Sequence, residues 1–243
     1  MNTIIILAGG SGKRMNSNIP KVLHTINNEP MIVKLLKQVS KTNPDKIIVV
    51  VGKDKDLIQN KLSNFNITYV IQTNPLGTGD ALKCCKDYIS DNSNVLILSG
   101  DTPMISSNTM NIFLNSKNLV TIGITNLENS YGYGRIIEKN NKFHKITEEK
   151  DCSEIEKQIK KVNCGIYMIH SNLIKKYIDL LNCNNNQNEY YLTDLISILN
   201  ENIDINYYIF NDSTEIMGIN TQEQLKELNL IYKQWDYDPP WII

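Results

Sequence analysis

Within its first hundred residues the chain repeats one pattern: a short unbroken run of Ile and Val, then a stretch with helical spacing. Residues 3–8, 46–51, 67–72 and 95–99 are the apolar runs, and residues 31–40, 54–62 and 78–89 carry the helical spacing. A strand with one wet face alternates apolar and polar side chains, whereas an unbroken run must be covered on both faces. The pattern predicts a parallel sheet between helices, wound by right-handed crossovers. Ligands of such sheets sit beyond the carboxyl ends of the strands. Glycine-bearing segments follow three of these runs: Gly9-Gly10-Ser11-Gly12, Gly77-Thr78-Gly79 and Gly100-Asp101.

The second half is less regular. Residues 119–125 and 162–169 read as further strands. Residues 134–139 and 142–147 read as a hairpin, with Asn140-Asn141 able to take the positive φ of a tight turn. Helices are expected at 172–181, 191–201 and 222–233, with a polar low-complexity loop at 182–188. There is no internal repeat and no linker that divides the chain.

Composition removes several function classes. The 25 Lys+Arg against 26 Asp+Glu argue against a nucleic-acid binder. No apolar run approaches the ~18 residues of a membrane span. The N-terminal run is short and closed by glycines, with its basic residues after it, unlike a signal peptide. Five cysteines without a C-x-x-C signal neither a zinc site nor a disulfide framework. The expectation is a reduced, cytoplasmic protein. Only Arg14 and Arg135 are arginine among many lysines. A coding bias toward A/T explains the lysines. An arginine kept against that bias draws attention to anion sites, where guanidinium and ammonium are not interchangeable.

The loop Leu7-Ala8-Gly9-Gly10-Ser11-Gly12-Lys13-Arg14-Met15 follows the first strand. It is not a G-x-G-x-x-G fingerprint, because Met15 stands where the third glycine belongs. Nor is it a P-loop, because Leu7 and Arg14 occupy the first-glycine and Ser/Thr positions. Its chemistry is still that of an anion cradle: glycines let backbone N–H groups approach phosphates, and Arg14 offers a planar fork. The long connection from Gly9 to Asn28 is of the kind that carries function or stays unordered.

The loop, followed by Pro20-Lys21-Val22-Leu23-His24, resembles the signature of the sugar-phosphate nucleotidyltransferases, above all the uridyltransferase domain of bacterial N-acetylglucosamine-1-phosphate uridyltransferases. The resemblance continues in order through Gln72, Pro75-Leu76-Gly77-Thr78-Gly79-Asp80-Ala81, Gly100-Asp101-Thr102-Pro103 and Tyr133-Gly134-Arg135-Ile136. It goes on through Glu148 with Lys150-Asp151, Asn163-Cys164-Gly165-Ile166, Glu189-Tyr190-Tyr191-Leu192-Thr193-Asp194 and Gly218-Ile219-Asn220. It implies a Rossmann-like three-layer α/β/α fold with a mixed, mostly parallel central sheet, covering residues 1–234. It implies nucleotidyl transfer from UTP to N-acetylglucosamine 1-phosphate, giving UDP-N-acetylglucosamine and pyrophosphate. Another nucleotide or sugar phosphate, such as dTTP with glucose 1-phosphate, and a silent sugar-nucleotide-binding regulator stand as alternatives.

The resemblance also implies roles. Arg14 and Lys21 would be the catalytic, phosphate-handling cations. Leu7, Ala8, Gly9, Gly10, Gln72, Gly77 and Thr78 would hold the nucleotide. Gly134, Glu148, Asn163, Tyr190 and Thr193 would hold the sugar. Asp101 and Asn220 would bind Mg²⁺, a hard cation that takes oxygen donors and keeps waters and phosphate oxygens. No Ser/His/Asp or Cys/His arrangement is needed, since positioning and charge neutralisation suffice. Arg135 is expected to anchor its loop.

The chain departs from the family pattern at three places. Ser99 stands where the bacterial relatives often have Tyr, Cys164 replaces a Thr, and Lys13 stands where Thr is frequent. The bacterial enzyme continues into an acetyltransferase β-helix. No hexapeptide repeats occur in these 243 residues, so acetylation and a β-helix trimer are not implied, and one reaction is expected. The tail, residues 235–243, holds both Trp of the chain. It reads either as packing on its own domain or as a homo-oligomer patch.

Overall fold

The unbroken Ile/Val runs become strands because each is covered from both sides. In β1 (Asn2–Leu7), Ile4 and Ile6 point into one apolar layer and Ile5 into the other. The structure, a computed structural model, describes residues 1–10 and 12–234; Ser11 of the glycine loop and the tail at 235–243 lie outside the described residues.

A minute hairpin, β2 (Thr25–Ile26) and β3 (Glu29–Pro30), leads into α1 (Met31–Lys41). There follow β4 (Lys46–Val51), α2 (Lys55–Lys61), β5 (Thr68–Ile71), α3 (Thr78–Cys84), β6 (Asn94–Ser99) and α4 (Ser107–Leu114). The second half contributes β7 (Val120–Asn126), the hairpin β8 (Arg135–Lys139) and β9 (Lys142–Thr147), then β10 (Lys161–His170) and α5 (Ser171–Tyr177). It closes with α6 (Leu192–Asn200), β11 (Asn206–Ile209) and α7 (Gln222–Gln234).

The main sheet runs β11-β7-β10-β6-β1-β4-β5, with the β8–β9 hairpin attached to β10. The β6-β1-β4-β5 half is parallel throughout, and β10 runs antiparallel to both β6 and β7. The sheet is therefore mixed and mostly parallel, between helices on both faces. One apolar layer joins α3, α5 and α6 to the sheet, and the other joins α1 and α4. A third cluster, with Met15, Ile26, Met31, Met104, Ile219, Leu225 and Leu228, ties α7 to the N-terminal loop.

Asn140 and Asn141 take φ of 53° and 59°, the tight turn read from the sequence. Besides the small β2–β3 hairpin, α4 and β11 escape that reading. Helix α4 is short, and its start is marked only by Ser106, whose side chain accepts from the Thr109 N–H. Strand β11 is a half-buried edge strand of four residues. The helix expected at 78–89 ends at Cys84 and continues as a 3₁₀ turn over Lys86–Tyr88. Among the described residues no helix is long and apolar enough to cross a membrane.

Position on the sheet is what matters for a site. The chain adds β4 and β5 on one side of β1, then returns to place β6 on its other side. The crevice between the carboxyl ends of β1 and β6 is a topological switch point, where such sheets bind ligands. The glycine loop leaves β1 there, and Asp101 follows β6 there.

Candidate active site

At the switch point four side chains that are distant in sequence converge. Lys21 forms an ion pair with Asp101 Oδ2. Its Nζ also donates to Asn220 Oδ1 at 3.0 Å, and Arg14 donates to the same Asn220 oxygen at 2.8 Å. Asp101 is only 7% exposed, whereas Arg14 projects into solvent.

Local structure explains the convergence. Gly12 has a φ of 58°, and a Cβ on it would lie 2.9 Å from Lys21 Cβ; a side chain there would push the lysine away. Short 3₁₀ turns at Lys13–Met15 and Lys21–Leu23 replace the unordered loop that the length of 9–28 allowed. Asp101 is fixed through its carbonyl, which accepts from Ile219 N at 3.0 Å, and this contact brings the segment holding Asn220 alongside. Asn220 is then set by a capping box at the start of α7. Gln224 N–H donates to Thr221 Oγ1 at 3.3 Å, and Gln224 Oε1 accepts from Thr221 N at 3.1 Å and Asn220 N at 2.7 Å.

The Asp101 and Asn220 oxygens both accept from one ammonium nitrogen, so two hard donors meet on a single cationic centre. That donor set fits a hard divalent cation with its remaining positions filled by water and phosphate. Among the described residues there is no cluster of three or more His, Cys, Asp or Glu side chains able to hold a metal.

A second group lies along the β1–β4–β5 edge. Gln72 is 5% exposed and spends its Nε2 protons on the Gly77 carbonyl at 3.0 Å and Asp80 Oδ2 at 2.7 Å. Its Oε1 faces Gly9, where an added Cβ would sit 3.2 Å away. The amide is thus turned so that its oxygen accepts beside the glycine loop. Gly77 has a φ of 111°, and a Cβ there would lie 2.5 Å from the Tyr190 carbonyl. Tyr190 N donates to Leu76 O, Gly79 N to Tyr190 O, and Leu192 N to Thr78 Oγ1. These bonds stitch the segment at 76–79 to the one at 190–192. Tyr190 takes part through its backbone, and the Thr78 hydroxyl is occupied as an acceptor at the start of α6.

The third group surrounds Glu148. Its Oε1 accepts from Thr193 Oγ1 at 2.9 Å, and its Oε2 would lie 3.6 Å from a Cβ on Gly134. Enclosure, with Asp194, Asp151 and Glu189 nearby, pushes the Glu148 carboxyl above its ordinary value, although the Thr193 hydroxyl pulls the other way. Asn163 sits at an irregularity in β10, two residues before Gly165 at φ 72°. It donates to Tyr167 Oη at 2.6 Å, and its oxygen accepts from Gly165 N at 3.2 Å. A cavity of about 470 Å³, lined by Thr147, Glu148, Asp151, Tyr191, Asp194 and neighbours, opens beside this group; none of Arg14, Lys21, Asp101 or Asn220 lines it.

Residues 3–236 match the family described as nucleotidyl transferase. The chain belongs to the nucleotidyl transferase family. It is 47% identical over 244 residues to the mimivirus (Acanthamoeba polyphaga mimivirus) protein named "Probable UDP-N-acetylglucosamine pyrophosphorylase", covering 95% of this chain and 96% of that one. It is 39% identical over 236 residues to the "Bifunctional protein GlmU" of Francisella tularensis subsp. holarctica, covering 96% of this chain and 52% of that protein. This chain thus spans about half of the bifunctional relative's length. In fold it resembles a UDP-glucose pyrophosphorylase solved with UDP-glucose, at a TM-score of 0.76 and 16% identity, covering 96% of this chain and 99% of that one. A Bacillus anthracis structure assigned as a glucose-1-phosphate thymidylyltransferase gives the same TM-score of 0.76 at 20% identity, covering 99% of each chain.

In this nucleotidyl transferase family chain, side chains to which the resemblance assigns no role also position the candidate residues. Asp80 orients Gln72, Ser99 donates to Asp101, and Gln224 holds Asn220. The T-x-x-Q spacing of Thr221 and Gln224 is a capping-box signal legible in the sequence. Arg135 is 1% exposed, pairs with Glu149 at 2.8 Å and donates to the Tyr133 carbonyl, so it anchors the Gly134 loop as read from the sequence. Lys13 is exposed.

Proposed function

We propose that the chain joins UTP to N-acetylglucosamine 1-phosphate, releasing pyrophosphate and UDP-N-acetylglucosamine. The observation that carries this reading is the meeting of Lys21 and Arg14 with Asp101 and Asn220 at the β1/β6 switch point. Two cations and two hard oxygen donors there fit a triphosphate and a divalent ion. The name of the relative at 47% identity supports the sugar and the base.

The α-phosphorus of UTP is attacked in line by an oxygen of the sugar phosphate. That oxygen already carries charge, so no side chain need remove a proton from it, and the work is alignment and charge neutralisation. Leu7, Ala8, Gly9 and Gly10 present backbone to the nucleotide. Gln72, with its protons spent, offers Oε1 to the N3–H of uracil, and the backbone of Gly77 and Thr78 borders the base. Gly134 leaves room for the sugar, Glu148 accepts from a hydroxyl, Asn163 holds another, and Tyr190 and Thr193 border the acetamido side. Asp101 Oδ2 and Asn220 Oδ1 would hold Mg²⁺, which when bound neutralises phosphate charge. Lys21 and Arg14 then serve the triphosphate and stabilise the departing pyrophosphate. The catalytic unit in this reading is residues 1–234, acting in the cytoplasm.

The test is pyrophosphate release from UTP, dTTP, CTP and ATP, each paired with N-acetylglucosamine, glucose and galactose 1-phosphates, with and without Mg²⁺. UTP with N-acetylglucosamine 1-phosphate should lead. Preference for another pair overturns the substrate assignment, and turnover untouched by chelation overturns the metal assignment. No turnover with any pair indicates a binding protein on this fold.

A further inference from the structure

We propose that Ser99 is a positioning residue for Asp101. Its hydroxyl holds one carboxylate oxygen so that only the other faces the cation position shared with Asn220. The inference rests on the reading of Asp101 and Asn220 as the metal-holding pair.

Ser99 closes β6, with Leu7 of β1 as its register partner. Its Oγ donates to Asp101 Oδ1 at 2.6 Å, while Asp101 Oδ2 faces Lys21. The two oxygens are therefore not equivalent: one is tied to the strand end, the other points into the site. The backbone that carries both residues is itself held. Gly100 N donates to Leu7 O at 2.9 Å, and Thr102 returns both its N–H, at 3.2 Å, and its hydroxyl, at 2.7 Å, to the Ser99 carbonyl. The Asp101 carbonyl accepts from Ile219 N. With the main chain fixed this firmly, the one remaining freedom of Asp101 is rotation of its side chain, and Ser99 is the neighbour placed to stop it.

A buried carboxylate oxygen that loses its donor turns to find another, and the ammonium of Lys21 already sits on the carboxylate's other oxygen. The carboxylate would then close on the lysine with both oxygens and present neither squarely to a metal. Groups that orient metal ligands in this way commonly contribute ten- to hundredfold to metal affinity. Ser99 is proposed to act through Asp101, so its effect should appear in metal dependence and not in nucleotide affinity.

The experiment compares wild type with Ser99→Ala, Ser99→Thr and Asp101→Asn, all as full-length chains. Mn²⁺ is titrated into protein with UTP and followed by water-proton relaxation. The Mg²⁺ concentration giving half-maximal pyrophosphate release is measured in parallel. Ser99→Ala should weaken Mn²⁺ binding and raise the Mg²⁺ requirement by about tenfold, with the KM for UTP changing less than twofold. Ser99→Thr keeps the hydroxyl and should restore both. If Asp101→Asn abolishes Mn²⁺ binding while Ser99→Ala binds as wild type, the role of Ser99 is overturned and the metal pair stands. If Asp101→Asn binds as wild type, the metal pair itself falls. If Ser99→Ala and Ser99→Thr lose affinity equally, the hydroxyl is not the cause and the proposal is overturned.

Discussion

At the scale of single residues, the central feature is that the Lys21 ammonium rests on the same Asp101 and Asn220 oxygens that suit a divalent cation. In the proposed reading a metal on these oxygens competes with the lysine for them, and a lysine released from them is free to turn toward phosphate. Lys21→Met should lower kcat for pyrophosphate release by about 10²–10³. It should also tighten Mn²⁺ binding to the protein without nucleotide, read by water-proton relaxation. Weaker Mn²⁺ binding in the variant would contradict the displacement. Glu148 gives a pH prediction. Its carboxyl is raised above 4.5, chiefly by desolvation, so the folded protein holds that proton more tightly than the unfolded chain. The contribution to stability is complete below pH 4.5 and is lost as pH rises through the raised value. Glu148→Gln keeps an acceptor for Thr193 and removes the titration. Its melting temperature, relative to wild type, should climb as pH passes upward through that window. Its KM for the sugar phosphate should rise roughly ten- to hundredfold.

At the scale of elements, the segments at 76–79 and 190–192, proposed to hold nucleotide and sugar, are joined by backbone, through Gly77, Gly79, Tyr190 and the Thr78–Leu192 bond. Gly77 is required there both by its φ of 111° and by a clearance of 2.5 Å to the Tyr190 carbonyl. Gly77→Ala should cost on the order of 2–4 kcal/mol in urea unfolding and raise the KM values of both substrates together. A rise confined to the nucleotide would show that the two segments act independently. Legibility at this scale depended on length and solvent contrast. The strands of the parallel half and the Asn140-Asn141 turn were readable because unbroken apolar runs and positive-φ residues leave marks in sequence. Helix α4 and strand β11 were not, because each is short and draws its stability from aromatic packing among Phe113, Tyr208 and Phe210, which are distant in the chain.

At the scale of the whole molecule, α7 reaches back across the site. Gln222 donates to the Met15 carbonyl at 3.1 Å, Asn229 accepts from Asn27 N at 3.0 Å, and the Met15–Leu228 cluster lies beneath. Every candidate site residue lies between 7 and 220, so a chain lacking residues 235–243 should release pyrophosphate within about twofold of the full chain. Light scattering on both should give the same subunit number; a lower number for the shortened chain would make the tail a self-association patch. The doubly covered sheet, the glycine loop and the order of the motif segments were legible in the chain alone, because buried runs, turn residues and motif spacing are local properties. The tertiary structure alone settled that β10 runs against its neighbours and that Lys21 and Arg14 meet Asp101 and Asn220 at one place. These depend on which distant backbones come side by side, and that follows from how the sheet and its helices pack together.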